Sequence, residues 1–519
     1  MSNVWSFGNI FARLGEAVGP DDPALIHGDH ITSWGEFDRR TDALAVAFLA
    51  AGARPGDKVA HLMRNSPAYL ETTIAAFKAR LVHVNVNYRY TGHELLYILD
   101  NSDAAILVHD ADFADVLDTL DLPKLKLRLE VGTSFEAAAT GGATLPPQDH
   151  ADDDMLFIYT GGTTGMPKGV MWDQAAIWSL LGGGGTAVVG LPPHETMAQL
   201  HEHVRAGMGR QRTLVMPPLM HGSGFLTAIY TLARGGTVVT LPGNFDAHAV
   251  LECCAAYQPD YSVIVGDAFA RPLLNALDAG APHAAAFPAI KVMISSGTMW
   301  SPEVKAGLLR HNSELMIIDA LGSSESVGMG AAVQTRENAG AATKFVHDEN
   351  TLVLDEDMRP VVPGSGDMGR VARGGLIPRG YYKDEAKSAA TFVEVEGKRY
   401  SFAGDWATVD ADGSMVLLGR GSQCINTGGE KVFPEEVEEA LKTHASVEDA
   451  LVFGVADEKW GQAVTAVVES SGADPRELVA HVRSLLADYK SPKRVVIVAK
   501  IPRAANGKAD YARAKEMAG

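Results

Sequence analysis

The chain has 519 residues, of which 46% are hydrophobic and 21% are charged, and its formal net charge is −19. This composition is typical of a globular protein and not of a disordered one, and the length predicts two or more domains. The acidic balance argues against nucleic-acid binding, which needs basic surface to displace counterions from phosphates.

The cysteines are Cys253, Cys254 and Cys424. Because their number is odd and two are adjacent, a disulfide framework is not expected, and a reducing cytoplasm is. The first residues lack the basic start and apolar run of a signal peptide. No apolar stretch is long enough to span a bilayer. The sequence therefore predicts a cytoplasmic protein without a transmembrane segment.

Helices and strands are predicted to alternate along the first part of the chain. Ser33 and Glu36 have the spacing of a helix N-cap, and Gly52 would close that helix. The next elements are a strand over 57–62, a helix over 68–79, a strand over 81–86, a helix capped by Thr91 and Glu94, and a strand over 104–108. This alternation predicts an α/β fold with parallel sheets layered with helices.

A loop rich in glycine and threonine follows an apolar strand predicted over 155–159. The residues of this loop and the lysine beyond it are Thr160, Gly161, Gly162, Thr163, Thr164, Gly165 and Lys168. Glycine lets backbone N–H groups converge on one anion, threonine hydroxyls add donors or a metal ligand, and lysine adds positive charge. This chemistry suits a polyphosphate, although a solvated linker would have a similar composition. The spacing is not that of a Walker A motif.

The segment 159–170 reads Tyr-Thr-Gly-Gly-Thr-Thr-Gly-Met-Pro-Lys-Gly-Val. It resembles the phosphate loop of the adenylate-forming superfamily, which holds acyl-CoA synthetases, luciferases and peptide-synthetase adenylation domains. The resemblance implies that this loop binds ATP. It also implies a large domain over 1–421, made of layered α/β sheets with a small β-barrel-like subdomain. A small mobile α+β domain would follow over 422–519.

The segment around Pro217 resembles the fourth core motif of this superfamily. An apolar strand ends in a Pro-Pro turn and leads to His221 in a glycine-rich bend. A lone histidine is usually structural, but the resemblance places His221 beside the acyl carboxylate. It places Phe225 at the gate of the acyl tunnel, where relatives often have tryptophan.

Two further strands end in small residues. The first ends at Val265 and Gly266, and the second ends at Ser296, Gly297 and Thr298. Open α/β sheets bind ligands beyond the carboxyl ends of their strands, although structural turns have the same pattern. The resemblance implies that Val265, Gly266 and Gly297 line the acyl pocket and that the second turn contacts the nucleotide.

The segment 321–325 resembles the fifth core motif, commonly Tyr-Gly-x-Thr-Glu. It consists of Leu321, Gly322, Ser323, Ser324 and Glu325. The resemblance implies that the first four contact the nucleotide. It also implies that Glu325, with Thr160, binds Mg2+, a hard cation that prefers oxygen ligands. Leu321 departs from the usual aromatic residue and leaves only an apolar contact for adenine.

The later motifs also resemble the superfamily. Asp405 would accept the ribose hydroxyls, and Arg420 would brace it. Ser422 aligns with the hinge, where relatives carry Asp or Lys. Gly428 and Gly429 would form part of the coenzyme A channel.

The last motif is Pro502-Arg503-Ala504-Ala505-Asn506-Gly507-Lys508. A lysine near a chain end is usually only a solvated charge. Because this segment matches the tenth core motif, the resemblance makes Lys508 the catalytic lysine. It would serve the adenylation step and leave when the small domain rotates.

A run of glycines and a group of histidines could each be mistaken for a binding site. Gly182 to Gly185 follow a predicted helix, so they lack the context of a dinucleotide fingerprint, and a flexible surface loop is expected. His194, His201 and His203 match no zinc spacing and are expected to form a polar face.

Taken together, the motifs imply an ATP-dependent acyl-CoA ligase that uses ATP, Mg2+ and coenzyme A on a medium- or long-chain fatty acid or a bulky apolar acid. The amino-acid sequence of the segment 264–272 resembles that of the bacterial subgroup that acts on fatty and steroid side-chain acids. An amino-acid substrate stays open, because Asp267 offers an anchor for an amine. A carrier-loading enzyme, a luciferase-like oxygenase and a non-catalytic AMP-binding protein share the motifs and also stay open, as does a homodimer.

Overall fold

The structure is a computed structural model that describes residues 3–90, 92–160, 166–185, 191–208, 210–298, 300–423, 425–427, 430–457, 461–486, 488–503 and 509–519. The backbone alone is described at positions 420, 422, 426, 430, 431 and 461.

The strands of this part of the chain are β1 (Pro23–His27), β2 (His30–Ser33), β3 (Lys58–Leu62), β4 (Val82–Asn85), β5 (Ala104–His109), β6 (Leu127–Glu130), β7 (Met155–Thr160), β8 (Lys168–Asp173), β9 (Arg212–Val215), β10 (Thr237–Thr240), β11 (Tyr261–Ile264), β12 (Val292–Ser296), β13 (Met316–Ser323), β14 (Ser326–Gln334), β15 (Thr351–Leu354), β16 (Met368–Arg373), β17 (Gly380–Tyr381), β18 (Phe392–Val395), β19 (Lys398–Ser401), β20 (Asp405–Val409), β21 (Met415–Arg420), β22 (Ile425–Thr427), β23 (Glu430–Val432), β24 (Asp449–Asp457), β25 (Gly461–Glu469) and β26 (Arg494–Val498).

The helices are α1 (Phe7–Leu14), α2 (Trp34–Ala50), α3 (Pro67–Lys78), α4 (Gly92–Asn101), α5 (Ala114–Asp118), α6 (Ser134–Ala139), α7 (Gln174–Leu180), α8 (Met197–Arg205), α9 (Gly222–Ala233), α10 (Ala247–Tyr257), α11 (Asp267–Asp278), α12 (Pro302–His311), α13 (Glu385–Thr391), α14 (Pro434–Lys442), α15 (Pro475–Leu485) and α16 (Tyr511–Ala518).

Two large sheets form the first part of the chain. The first has the strand order β14-β13-β12-β11-β9-β10-β1-β2, and the second has the order β17-β8-β7-β4-β3-β5-β6. Strands β13, β12, β11, β9 and β10 are parallel neighbours, so their carboxyl ends meet at one edge. The predicted layered α/β fold is confirmed.

A shared core joins both sheets through α1, α3, α7 and α9. Phe7 of α1 stacks on Phe77 of α3 with ring centroids 5.8 Å apart, and Trp178 of α7 meets Phe7 edge-on. Burying such large rings removes much apolar area from water and fixes the helices between the sheets.

A third sheet is antiparallel and has the order β18-β19-β16-β20-β21, with β15 paired to β16. This sheet lies within the large domain, where the resemblance implies a small β-barrel-like subdomain. The fourth sheet has the order β23-β22-β25-β24, with β26 beside β25, and its core cluster includes residues of α14 and α15. This small α+β unit lies within 422–519, although the predicted boundary at Ser422 and the mobility of the unit stay predictions.

Glu438 on α14 is a buried carboxyl that predicts a pH-dependent stability. It accepts hydrogen bonds from the Val452 backbone N–H (2.8 Å) and the Tyr511 hydroxyl (2.9 Å). Burial raises the pKa of Glu438 from 4.5 to about 7, against the opposing effect of Lys442. Because the folded-state pKa is raised, this carboxyl favours folding below pH 4.5 and loses that contribution as the pH rises through 7.

We therefore expect Glu438→Gln, which keeps the acceptor oxygen, to stabilise the protein only at higher pH. The gain should grow from near zero at pH 4.5 to about 3 kcal/mol above pH 7.5. The thermal midpoints of variant and wild type, compared at each pH, measure this gain. Glu448→Gln at an exposed position is the control. A gain that does not change with pH would contradict the interpretation.

No helix in the described ranges combines the length and the apolar character that crossing a membrane requires. The cytoplasmic location stays a prediction.

Candidate active site

The predicted phosphate loop connects two antiparallel strands of the second sheet. Thr160 at the end of β7 pairs with Lys168 at the start of β8. The loop residues between them, Gly161, Gly162, Thr163, Thr164 and Gly165, lie outside the described residues. Their role in binding ATP stays a prediction, and the flanking strands show that the loop closes a hairpin.

Asn85 connects this hairpin to the turn that carries His221. Its side-chain oxygen accepts from the Tyr159 N–H (2.7 Å), and its amide donates to the carbonyl oxygens of Tyr159 (2.8 Å) and Met220 (2.8 Å). Asn85 is not among the site residues predicted from the sequence. The signal that was present is an amide inside an apolar run, since a buried amide must find hydrogen-bond partners.

Lys168 is held by Asp384, which caps the N-terminus of α13. The two side chains form an ion pair, and the Lys168 Nζ lies 5.9 Å from the centre of the Tyr381 ring. The hydrogen bond from Lys168 lowers the pKa of Asp384. Strand β17 pairs with β8, which brings Tyr381 and Asp384 beside the phosphate hairpin. Lys168 is therefore paired with Asp384 in this structure. Asp384 is a second site residue that was not predicted from the sequence.

Glu325 lies in the two-residue turn between β13 and β14, because Ser323 pairs with Ser326 across the hairpin. The Tyr381 hydroxyl donates to Glu325 Oε1 (2.9 Å). No lysine or arginine of the described ranges forms an ion pair with this carboxylate. Such a half-buried carboxylate suits Mg2+, which is held by one or two carboxylates together with substrate phosphates and water. No group of three or more acidic, histidine or cysteine side chains in these ranges forms a metal site on its own.

Trp172 fixes the Glu325 turn against the phosphate hairpin. It is fully buried on β8, and its indole Nε1 donates to the Ser324 carbonyl oxygen (2.8 Å). This bond joins residues 152 positions apart in the chain. Trp172 therefore positions the predicted metal ligand relative to the predicted phosphate loop.

We expect Trp172→Phe to raise the KM for ATP by about 3- to 10-fold, because one hydrogen bond between protein groups is worth roughly 0.5–1.5 kcal/mol. Steady-state kinetics at saturating acid measure the change. Trp34→Phe is the matched control, since Trp34 is also buried and its indole N–H has no partner in the described residues. An equal effect of both substitutions would show a packing effect instead.

His221 is the N-cap residue of α9, and Phe225 is buried in the first turn of that helix. Asn65 holds the preceding turn, because it donates to the Pro217 carbonyl (3.0 Å) and accepts from the Leu219 N–H (2.6 Å). The Phe225 ring stacks on His83 with centroids 4.1 Å apart. Burial lowers the pKa of His83 well below its usual value, so the ring against Phe225 is neutral. His83 therefore packs against one face of the Phe225 ring, which is the predicted gate of the acyl tunnel.

The two small-residue turns lie side by side, as predicted. Ile264 pairs with Ser295, so Val265-Gly266 and Ser296-Gly297 leave adjacent parallel strands. Gly297 has φ +93°, and a Cβ there would lie 3.9 Å from both Ser223 Oγ and Val265 Cγ1. The turn at Gly297, with Thr298 after it, therefore borders the start of α9.

Asp267 is not available as an anchor for a substrate amine. Its carboxylate accepts from the Ser301 N–H (3.0 Å), from the Ser301 hydroxyl (2.5 Å) and from Arg271 (3.1 Å). A carboxylate with these partners gains little from an additional cation. This arrangement disfavours an amino-acid substrate.

The structure describes some of the other residues that are predicted to contact the nucleotide. Asp405 pairs with Arg420 across β20 and β21, so the two predicted ribose residues are neighbours. Leu321 is buried in the core that includes Met329 and Phe345, which limits its contact with adenine. Gly322 follows it in β13. The Arg420 and Ser422 side chains are not described, and Gly428, Gly429 and Lys508 lie outside the described residues, so their roles stay predictions.

The prediction of a flexible surface loop at Gly182 to Gly185 is wrong for its last three residues. Gly183, Gly184 and Gly185 are buried. A Cβ at Gly184 would overlap His194, so glycine is required by close packing. His194 is also buried and bonds to His203 (2.5 Å), so this histidine does not belong to a solvated polar face.

Two family models match the chain. The model of the AMP-binding enzyme covers residues 15–382, and that of the AMP-binding enzyme C-terminal domain covers residues 436–508. The chain belongs to the AMP-binding enzyme family. The resemblance to adenylate-forming enzymes is thereby confirmed.

Named relatives of this AMP-binding enzyme are CoA ligases. The 3-oxocholest-4-en-26-oate–CoA ligase of Rhodococcus rhodochrous is 41% identical, with 96% of this chain and 94% of that protein covered. The medium-chain acyl-CoA ligase Mig of Mycobacterium avium is 35% identical, with 98% and 97% covered. Among solved structures, ATP-bound MatB from Rhodopseudomonas palustris has a TM-score of 0.82 at 23% identity over 99% of each chain, which shows a common fold.

Proposed function

We propose that this enzyme is an ATP-dependent acyl-CoA ligase that activates a long or bulky apolar carboxylic acid through an acyl-adenylate. The observation that carries the proposal is the double contact of Asn85. Asn85 joins the phosphate hairpin at Tyr159 to the acyl turn at Met220. An acid held at His221 therefore lies next to the phosphates of ATP, and proximity of this kind is a large part of the catalysis of such transfers.

In the first step, a carboxylate oxygen of the acid attacks the α-phosphorus of ATP. The new oxygen–phosphorus bond forms as the bond to pyrophosphate breaks. Lys168, once it leaves Asp384, and Lys508 supply positive charge to the phosphate oxygens. Glu325 and Thr160 would hold Mg2+, which would supply positive charge to the phosphate oxygens.

In the second step, the coenzyme A thiol loses its proton and its sulfur attacks the acyl carbon. The bond from that carbon to AMP then breaks, and AMP leaves. Gly428 and Gly429 would face this thiol after the unit over 422–519 has rotated about Ser422. This rotation is part of the proposal.

An apolar acid is favoured by the residues at the acyl turn. Phe225 and Val265 are buried apolar side chains, and Asp267 is already paired. Relatives named for medium- and long-chain fatty acids and for 3-oxocholest-4-en-26-oate extend over nearly the whole chain. We therefore propose fatty acids and steroid side-chain acids as the substrate class.

The test is ATP-dependent pyrophosphate release with a panel of carboxylic acids, measured with and without coenzyme A. We expect release with apolar acids and an acyl-CoA product when coenzyme A is present. Pyrophosphate release without any thioester would favour a carrier-loading enzyme. Emission of light or consumption of oxygen would favour a luciferase-like oxygenase. Absence of pyrophosphate release with every acid would overturn the proposal.

A further inference from the structure

Helix α9 presents one polar stripe on an otherwise buried surface. Ser223, Thr227, Tyr230 and Arg234 follow each other at spacings of four, three and four residues, which places them on one face. The first three are half-buried, whereas the other residues from Gly224 to Ala233 are buried. The stripe begins beside Gly297 at the active-site turn and ends at Arg234.

Arg234, just past the end of α9, carries a buried guanidinium group with open donors. Its side chain is only 3% exposed, and Nε donates to the Gly184 carbonyl (2.9 Å). The other two nitrogens, Nη1 and Nη2, have no hydrogen-bond partner in the described residues. No carboxylate in these ranges forms an ion pair with Arg234, and burial lowers the pKa of its guanidinium group.

This arrangement is unusual, because buried polar groups are nearly always hydrogen-bonded and buried charges are nearly always paired. Neighbouring groups hold the guanidinium group in place but accept no hydrogen bond from Nη1 or Nη2. The Tyr230 ring centre lies 5.5 Å from the guanidinium carbon. The Tyr230 hydroxyl donates to the Gly185 carbonyl (2.7 Å) and accepts from the Gly184 N–H (3.1 Å). Two donors are thus fixed but unused.

The length of α9 sets the distance between these donors and the reaction centre. The helix has 12 residues. At 1.5 Å per residue it is about 18 Å long. A molecule with its carboxylate at His221 and its body along the stripe would reach Arg234 only if it were elongated, as a long-chain acid or a steroid with a carboxylated side chain is.

Resting on the proposed function, we infer that Arg234 is the distal recognition site for the acid. It binds an acceptor oxygen at the end of the substrate remote from the reacting carboxylate. The substrate class is therefore an elongated apolar acid with a terminal carbonyl, hydroxyl or second carboxylate group. Arginine is suited to this role, because it presents donors in a fixed fork to an oxygen acceptor.

The first test uses the wild-type enzyme and matched acids. A 3-oxo-steroid side-chain acid is compared with its 3-deoxo twin, and an ω-hydroxy fatty acid and a dicarboxylic acid with the parent fatty acid. We expect kcat/KM for at least one oxygenated acid to exceed that of its twin by about 10- to 100-fold, the effect of a hydrogen bond to a charged group. The acid with the largest ratio identifies the acceptor. Ratios near one for every pair would overturn the inference but leave the proposed function intact.

The second test asks whether Arg234 causes the preference. Arg234→Met should bring the ratio for the preferred pair close to one, and Arg234→Lys, which keeps a charge and one flexible donor, should keep part of it. Arg210→Met is the matched control, since Arg210 also donates through Nε to a nearby carbonyl, that of Gly235, but has Asp22 as a partner. Its ratio should equal that of the wild type. Arg234 would have only a structural role if the kcat/KM ratio of the preferred pair were unchanged in Arg234→Met. The same conclusion would follow if both Arg234 variants lost kcat/KM equally for both acids of the pair.

Discussion

Lys508→Ala is expected to reduce acyl-adenylate formation by about 1,000-fold or more, while thioester formation from supplied acyl-adenylate stays near the wild-type rate. The physical reason is that phosphoryl transfer depends on positive charge placed where negative charge develops. In the proposed first step Lys168 has already left Asp384 to supply its own charge, so it cannot also replace the charge of Lys508. Pyrophosphate release measures the first reaction, and consumption of supplied acyl-adenylate with coenzyme A measures the second.

Lys500→Ala is the matched control for this prediction. Lys500 lies eight positions earlier in the chain, and its exposed side chain pairs with Glu469 (2.8 Å). Its loss should change neither half-reaction by more than a small factor, because the buried Glu469 keeps its hydrogen bond from the Ile501 N–H (2.9 Å). If Lys508→Ala slowed both half-reactions equally, the proposed rotation of the unit over 422–519 would be wrong.

Local patterns predicted most of the fold. The alternation of apolar runs with capping and turn residues predicted α2, α3, β3, β4 and β5 within a few residues of their observed ends. The strand before the phosphate loop was predicted over 155–159 and is observed as β7. These features depend on residues that are neighbours in the chain, so the sequence contains the information directly.

The contacts that position the site were not predictable in the same way. Lys168 and Asp384 are 216 positions apart, and Trp172 and Ser324 are 152 apart. Both contacts arise because β17 pairs with β8 and because β13 and β14 form a hairpin beside Trp172. A single sequence shows neither pairing. The burial of Gly184 was missed for the same reason, because His194 packs against it from another segment.

One short segment of the chain contacts both the predicted metal ligand Glu325 and the predicted phosphate-binding residue Lys168. Tyr381 binds Glu325 through its hydroxyl, and Asp384 pairs with Lys168, three residues further along. Because the two contacts share a short backbone stretch, a shift that frees Lys168 for the phosphates also changes the setting of Glu325. The Tyr381–Asp384 stretch therefore connects the two sides of the nucleotide site.

Glu325→Gln is expected to lower kcat by about 100- to 1,000-fold and to raise the Mg2+ concentration needed for half-maximal activity. The substitution keeps an acceptor for the Tyr381 hydroxyl, so the turn should stay in place while the negative charge is lost. Glu314→Gln on an exposed, paired glutamate is the control and should leave the Mg2+ dependence unchanged.

Trp172→Phe gives a second contrast, because it moves the turn without removing charge and should change the KM for ATP more than the Mg2+ requirement. An unchanged Mg2+ requirement in Glu325→Gln would show that the cation is held elsewhere. A raised requirement with normal folding would show that the carboxylate at this turn, and not the packing around it, sets the response to the cation.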